Sequence, residues 1–129
     1  MTASGLVLVV EDDRDLLALM EMILFDAGYR VRTAVDGRAA LEQIAEEMPA
    51  LILLDMRMPG MNGWDFAREF RARHGRAAPI VVVTAAEDAR ARANEIEADG
   101  WLAKPFDLED IVAAAERHAG RPLGHPFPG

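Results

Sequence analysis

Five short apolar runs, separated by segments with helical periodicity, constrain the fold of this chain more than any other feature. The runs are residues 6–10, 31–34, 51–54, 80–83 and the short 101–103. Most of them are rich in Leu or in β-branched residues and lack alternation with polar side chains. That pattern is typical of strands buried on both faces of a sheet. The sequence therefore predicts five strands inside a parallel sheet.

The segments between the runs carry apolar residues at three- and four-residue spacing, as in helices with one buried face. Four such stripes are Leu16, Met20, Ile23 and Ala27; Leu41, Ile44, Ala45 and Met48; Phe66, Ala67 and Phe70, with Trp64 at its start; and Leu108, Ile111, Val112 and Ala115. A further helix over residues 87–97 offers only Ala89, Ala93 and Ile96, so we expect it to be the most weakly anchored. Strands that alternate with helices predict a doubly wound α/β sandwich.

Composition fits one domain of this kind and excludes several functions. The chain has 129 residues, of which 51% are hydrophobic, and none is a cysteine, which excludes disulfides and thiolate metal sites. Its 22 acidic residues exceed its 14 basic ones, so the net charge of −8 disfavours direct binding to nucleic acid or to an anionic membrane. No apolar run approaches the roughly 20 residues that span a bilayer. We expect a cytoplasmic domain over residues 1–119 and a flexible tail, with no output domain, over residues 120–129.

Polar side chains stand where the predicted strands end. Glu11 and Asp12 follow the first strand, Asp55 the third, Thr84 the fourth and Lys104 the fifth. The carboxyl ends of parallel strands meet at one edge, which is where ligands bind in such sheets. Carboxylates gathered there repel one another by about 4 kcal/mol per pair at a separation of about 4 Å. The sequence therefore predicts a cation at this edge.

The donor set and the single lysine indicate the chemistry. Carboxylate oxygens suit Mg²⁺, which keeps several waters that a phosphate can replace. Lys104 is the only lysine among 14 basic residues, and it delivers a compact positive charge. Asp55, expected to be ionised at neutral pH, can attack phosphorus without a base and give an acyl phosphate. A backbone carbonyl at Arg57, in a loop rich in Pro and Gly, can complete the metal shell, and Thr84 can donate to a phosphoryl oxygen.

Four motifs in order resemble the response regulator receiver domain of two-component signalling over residues 6–119. They are Val-Val-Glu-Asp-Asp at 9–13, Leu-Leu-Asp-Met-Arg-Met-Pro-Gly-Met-Asn-Gly at 53–63, Val-Val-Thr-Ala at 82–85 and Trp-Leu-Ala-Lys-Pro-Phe at 101–106. The resemblance implies a flavodoxin-like, five-stranded parallel sheet of order 2-1-3-4-5 with five helices on two faces.

The resemblance also implies roles for single residues. Asp55 is then the phosphoacceptor and Lys104 binds the phosphoryl group. Glu11, Asp12 and Asp55, with the Arg57 carbonyl, hold Mg²⁺ or Mn²⁺. Thr84 is the switch hydroxyl, and Trp101 occupies the place of the switch aromatic. The bond between Lys104 and Pro105 is expected to be cis.

The chain departs from the family pattern at two places. Trp101 replaces the usual Tyr or Phe, and its size puts the usual inward rotation of this side chain in question. Residues 97–100 read Glu-Ala-Asp-Gly, so the end of the fourth helix is expected to be shaped differently. We interpret the three histidines as ordinary exposed or helix-end residues and Asp13 as a helix cap.

The resemblance names partners only by class. The phosphoryl donor is expected to be a histidine kinase or a histidine phosphotransfer protein, and a downstream protein is expected on the surface of the fourth and fifth strand–helix units. In this reading the chain is no enzyme, apart from promoting its own phosphorylation and dephosphorylation. Two alternatives stay open. One is a receiver-like binding module that works without phosphorylation, and the other is a Mg²⁺-dependent phosphatase with an aspartyl intermediate.

Overall fold

The computed structural model of the chain describes residues 5–85 and 87–120. Strands and helices alternate along it. The strands are β1 (Leu6–Val10), β2 (Arg30–Ala34), β3 (Leu51–Asp55), β4 (Ile80–Ala85) and β5 (Gly100–Lys104). The helices are α1 (Arg14–Asp26), α2 (Gly37–Glu46), α3 (Gly63–His74), α4 (Ala89–Glu95) and α5 (Leu108–Ala119).

The strands form one parallel sheet in the order β2-β1-β3-β4-β5, which confirms the predicted topology. Val10 at the end of β1 pairs with Ala34 of β2 and with Leu54 of β3. Asp55 pairs with Val83 of β4, which in turn pairs with Leu102 of β5. The carboxyl ends of the strands therefore lie close together in register. Strand order reverses between β1 and β3, where a doubly wound sheet leaves room for a ligand.

A hydrophobic core fills each side of the sheet. On one side α2, α3 and α4 pack around Phe66 and Phe70, which are both fully buried and whose ring centroids lie 5.9 Å apart. On the other side α1 and α5 contribute Met20, Leu24 and Ile111. Burying each side chain of this size stabilises the fold by about 1.5–3 kcal/mol relative to leaving it exposed. The two cores hold the sheet edge in place from both faces.

Three helices begin at the aspartates that the sequence places there. Asp13 accepts hydrogen bonds from the backbone N–H groups of Asp15 and Leu16, each at 3.1 Å, so it caps α1 as predicted. Asp36 accepts from Ala39 N–H at 2.8 Å at the start of α2. Asp107 caps α5 through a reciprocal pair of bonds with Asp110. Such caps typically contribute about 1 kcal/mol each.

Some predicted helix faces differ from the observed ones. In α1 Met20 and Ile23 are buried as predicted, and Leu17 and Leu24 are buried as well. The other two predicted residues, Leu16 and Ala27, are partly buried against the same core. Leu108 is 60% exposed because it is the first residue of α5 and precedes its buried turn. The fourth helix is shorter than predicted, with Ala89 and Ala93 buried in it and Ile96 just beyond, and its first-turn neighbour Asp88 makes no side-chain cap with any described residue.

The ends of the chain are covered only in part. Of the predicted flexible tail, Gly120 belongs to the described residues, and the rest of the tail lies outside them. Within residues 5–85 and 87–120, no helix has the length and apolar character needed to cross a membrane.

Candidate functional site

The residues predicted to act together lie at the carboxyl edge of the sheet. Asp55 is the last residue of β3, Glu11 follows β1 directly, and Lys104 is the last residue of β5. Thr84 is buried near the end of β4, one position beyond the residue that pairs with Asp55. The in-register strands thus bring Glu11, Asp55 and Lys104 together and place Thr84 at the same edge of the sheet.

The carboxylates form a compact cluster. Glu11, Asp12 and Asp55 each offer an oxygen such that these atoms all lie within 4.8 Å of one another. Glu11 and Asp55 are 2% and 5% exposed, whereas Asp12 is open to solvent. A cluster with two buried members and one exposed member has an entry path on one side and protein on the other. This is the arrangement that a partly hydrated cation needs.

Lys104 supplies positive charge inside this cluster. Its Nζ lies 3.1 Å from Glu11 Oε1 and 3.9 Å from Asp55 Oδ2. The ammonium therefore sits closer to Glu11 than to the predicted nucleophile. Glu11 Oε1 is buried, and no described residue donates a well-aligned hydrogen bond to it, so the contact with Lys104 is an ion pair of poor hydrogen-bond geometry. One ammonium leaves the charge of the carboxylates incompletely balanced.

The imbalance changes the proton affinity of Asp55. Burial and the neighbouring Glu11 carboxylate raise the pKa of Asp55 to about 7 from its ordinary value of 3.8. The Lys104 ammonium and the Arg57 N–H, which donates to Asp55 Oδ1 at 3.2 Å, oppose this rise but do not cancel it. With a pKa of about 7, Asp55 is only partly ionised at neutral pH, which differs from the ionised carboxylate that the sequence predicted, because desolvation disfavours the charged form.

The donor set fits a hard divalent cation. Glu11 Oε1 is a buried acceptor to which no described residue donates an aligned hydrogen bond. A cation could coordinate this oxygen, or a water bound to the cation could donate to it. The surrounding ligands are carboxylate oxygens, the type that Mg²⁺ and Mn²⁺ prefer. Glu11, Asp12 and Asp55 could hold such an ion, and the Arg57 carbonyl lies two residues beyond Asp55 in the same loop. Added positive charge there would also favour the ionised form of Asp55.

The loop after β3 is packed tightly beneath the site. Met56 is fully buried, and its carbonyl accepts a hydrogen bond from Gly63 N–H at 3.0 Å. A Cβ at Gly63 would lie 2.7 Å from Met56 Cα and 3.0 Å from the Asp55 carbonyl oxygen. Only glycine fits this contact without moving the backbone that carries Asp55. The loop methionines Met56 and Met58 fill the core.

Two features near Lys104 complete the edge. The peptide bond between Lys104 and Pro105 is cis. Trp101, the second residue of β5, is 49% exposed and lines a surface cavity of about 330 Å³ between β5 and α5. Its side chain thus lies outward in this structure, and it does not occupy the core beside Thr84.

Trp64 makes a set of contacts that no sequence pattern predicted. We predicted Trp64 as the start of a core stripe, but it is only half-buried at the rim of that core. Its indole Nε1–H donates to Glu95 Oε1 of α4 at 2.7 Å. The Arg57 guanidinium lies 5.9 Å from the Trp64 ring centroid and 3.8 Å from Asp88. No spacing in the sequence signals a contact between residues 31 positions apart.

Comparison with known families decides the classification. The profile described as "Response regulator receiver domain" matches residues 7–116, which is most of the chain. The chain is a response regulator receiver domain. The receiver domain is 36% identical over 115 residues to the DNA-binding transcriptional regulator NtrC of Escherichia coli K12. That match covers 88% of this chain and 24% of NtrC, so the chain spans about a quarter of the length of this relative.

Solved structures agree with the assignment. The Vibrio cholerae chemotaxis protein CheY4 superposes with a TM-score of 0.79 at 32% identity, covering 88% of this chain and 97% of CheY4. The receiver domain of NtrX from Brucella abortus gives a TM-score of 0.80 at 30% identity, covering 88% and 97% of the two chains. A CheY-like receiver domain protein from Methanospirillum hungatei gives 0.80 at 29% identity, covering 89% and 94%. The receiver domain thus shares its whole architecture with CheY-like proteins.

Proposed function

We propose that this receiver domain accepts a phosphoryl group on Asp55 from a histidine kinase or a histidine phosphotransfer protein, in the presence of Mg²⁺. The observation that carries the proposal is the position of Asp55. Its carboxylate is buried at the sheet edge, with Lys104 Nζ 3.9 Å away and with oxygens of Glu11 and Asp12 within 4.8 Å. We further propose that the receiver domain acts in the cytoplasm and itself binds neither nucleic acid nor membrane directly.

The transfer is a displacement at phosphorus. One Asp55 carboxylate oxygen attacks the phosphorus of the donor's phosphohistidine and forms a new P–O bond, while the P–N bond breaks and its electron pair returns to the imidazole. The products are an acyl phosphate on Asp55 and a free histidine on the donor. Asp55 must be ionised to attack, so the groups that lower its pKa also promote the reaction.

The other residues stabilise charge on the transferred group. Lys104 carries an ammonium that can bind a phosphoryl oxygen once Glu11 is balanced by a cation. Thr84 is buried at the same edge and can donate its hydroxyl to a phosphoryl oxygen. Glu11, Asp12, Asp55 and the Arg57 carbonyl would hold Mg²⁺, which would supply positive charge that neutralises phosphoryl oxygens. In phosphoryl transfer this placement of charge provides most of the catalysis.

Acetyl phosphate tests the acceptor directly. The protein is incubated with acetyl phosphate and Mg²⁺, and its intact mass is measured. We expect one phosphoryl group on the wild type, none on Asp55→Asn, and little labelling when the cation is removed by a chelator.

A neighbouring aspartate provides the matched control. Asp13 lies two residues from Glu11 and caps α1, and asparagine is an equally good cap, so Asp13→Asn should label like the wild type. Labelling that persists in Asp55→Asn would place the chemistry on another residue. A wild-type protein that resists labelling while binding Mg²⁺ would favour the phosphorylation-independent binding module instead.

We propose that the output is a change in the surface formed by α4, β5 and α5. A phosphoryl group on Asp55 draws the Thr84 hydroxyl inward through a charge-assisted hydrogen bond and opens space beside β4. Trp101, which is half-exposed in this structure, then has space to turn inward. Phosphorylation can shift the balance between two surfaces only by its differential interaction with them.

Thr84→Ala separates the chemistry from the output. We expect Asp55 to remain reactive in this variant and Trp101 to respond less to beryllofluoride, which mimics the phosphoryl group. Trp101 emission is measured with Trp64 replaced by phenylalanine in both proteins, before and after a saturating amount of beryllofluoride is added, so that any effect of this replacement is common to both. A full response in Thr84→Ala, or an unchanged emission in the otherwise unmodified protein, would contradict this route.

A further inference from the structure

Helix α4 is attached to α3 by a polar contact centred on one tryptophan. Trp64 Nε1–H of α3 donates to Glu95 Oε1 of α4 at 2.7 Å. Arg92, also in α4, pairs with Glu95 at 2.7 Å, and its guanidinium lies 5.8 Å from the Trp64 ring centroid. A hydrogen bond to a charged acceptor and a nearby cation over an aromatic ring both favour this arrangement.

Apolar packing holds α4 only weakly, so this contact matters more than it would on a larger helix. The helix has seven residues, and the apolar side chains that it and its end bury are Ala89, Ala93 and Ile96. Its carboxyl end is held by polar bonds as well, since Arg71 of α3 donates to the carbonyl oxygens of Ile96 and Glu97 at 3.1 and 3.2 Å. The position of α4 therefore depends on contacts with α3 that can break at modest cost.

Arg57 connects this contact to the phosphoacceptor. Its backbone N–H donates to Asp55 Oδ1 at 3.2 Å. Its guanidinium lies 5.9 Å from the Trp64 ring centroid and 3.8 Å from Asp88 Oδ2, just before α4 begins. A single residue thus contacts the reacting carboxylate, the indole ring and the entrance to α4. We call Arg57, Trp64, Asp88, Arg92 and Glu95 the Trp64 contact set.

We propose that Trp64 is a positioning residue that holds α4 in its resting place through Glu95, and that phosphorylation of Asp55 weakens this hold through Arg57. The inference rests on the proposed function. It adds a connection from the site to α4 that is separate from Thr84 and Trp101. A phosphoryl group on Asp55 changes the size and charge of the carboxyl group that Arg57 N–H contacts, and we expect the Arg57 guanidinium to shift relative to Trp64 and Asp88 as a result.

Glu95→Gln tests the hold without touching the site. Glutamine keeps the shape but loses the charge that Trp64 Nε1–H and Arg92 contact. Hydrogen exchange is followed in the peptide spanning residues 89–97 of the full chain. We expect exchange there to be about threefold faster than in the wild type before any phosphoryl analogue is added, as suits a half-exposed charged contact. Beryllofluoride should accelerate the same peptide in the wild type and add little in the variant.

Binding linkage supplies a measurement that a purely structural role would not change. If the Trp64 contact set stabilises only the resting state, weakening it must raise the affinity for beryllofluoride by up to the same factor. We expect the beryllofluoride midpoint of Glu95→Gln to fall about threefold at fixed Mg²⁺. Trp64→Phe, which keeps a ring but lacks the N–H donor, should shift exchange and midpoint in the same direction.

The matched control is Glu69→Gln. Glu69 and Glu95 both have side chains that are 42% exposed, and each pairs with an arginine at 2.8 or 2.7 Å, but Glu69 pairs with Arg73 inside α3. In Glu69→Gln, the hydrogen exchange rate of the peptide 89–97 and the beryllofluoride midpoint should both equal those of the wild type. Unchanged exchange in Glu95→Gln, or faster exchange with an unchanged midpoint, overturns the proposal. If the wild type fails to bind beryllofluoride and resists acetyl phosphate, the proposed function fails, whereas the exchange comparison without analogue still judges the hold on α4.

Discussion

Replacing Asp55 with asparagine should stabilise the cation-free protein, and the gain should grow with pH. The folded protein holds a proton on Asp55 up to a pKa of about 7, whereas the ordinary pKa of the group is 3.8. Between these values the folded state binds more protons than the unfolded state, so the free energy of unfolding falls as pH rises. Above pH 7 this loss of unfolding free energy is complete. Asparagine carries no charge, so the Asp55→Asn variant does not lose this stability.

The magnitude follows from the two pKa values. Their difference of about 3 pH units, at about 1.4 kcal/mol per unit, gives a cost of up to about 4 kcal/mol at pH 8. At pH 5 only the interval between pH 3.8 and pH 5 contributes, which is about 2 kcal/mol. The difference in unfolding free energy between Asp55→Asn and the wild type should therefore grow by about 2–3 kcal/mol from pH 5 to pH 8.

Urea denaturation at both pH values, with a chelator present, measures this difference. Exposed Asp26 at the end of α1 provides the control, since Asp26→Asn should change the free energy of unfolding by no more than about 0.5 kcal/mol at either pH. An advantage of Asp55→Asn that is equal at pH 5 and pH 8, or that shrinks at pH 8, would refute the account of Asp55 as a desolvated carboxylate repelled by Glu11.

Three further outcomes are expected. Millimolar Mg²⁺ should raise the thermal unfolding midpoint of the wild type, because a ligand that binds only the folded state stabilises it. The rise should be smaller in Asp12→Asn, and equal shifts in both proteins would remove Asp12 from the metal site. Phe66→Ala should cost about 3–5 kcal/mol in urea denaturation, whereas Phe25→Ala, at a residue 69% exposed, should cost far less; similar losses would contradict the packing described for α3. Gly63→Ala should lower both stability and the acetyl phosphate labelling rate, because a Cβ 2.7 Å from Met56 Cα forces the Asp55 loop to move; wild-type labelling would show that the loop adapts freely.

The apolar runs and the residues that follow them were enough to predict the fold and the composition of the site. Five apolar runs alternating with helical segments predict a parallel, doubly wound sheet, and the structure confirms both this sheet and the strand order that the resemblance to receiver domains implies. Because the carboxyl ends of parallel strands meet at one edge, the residues that follow each run had to lie together. Glu11, Asp12 and Asp55 do so, with Lys104 among them. The cap at Asp13 was predictable for a different reason, because its hydrogen-bond partners lie within three residues of it in the sequence.

The pKa of Asp55 and the contacts between helices depend on distances that only the folded structure defines. The raised pKa of Asp55 depends on how deeply its side chain is buried and how near Glu11 comes, and periodicity contains neither distance. The outward position of Trp101 and the exposure of Leu108 depend on how helices sit on the sheet. The bond from Trp64 to Glu95 joins α3 to α4, whose relative placement is set by packing across β4. Sequence pattern fixes which face of an element is apolar, but contacts between elements depend on the distances at which those faces pack.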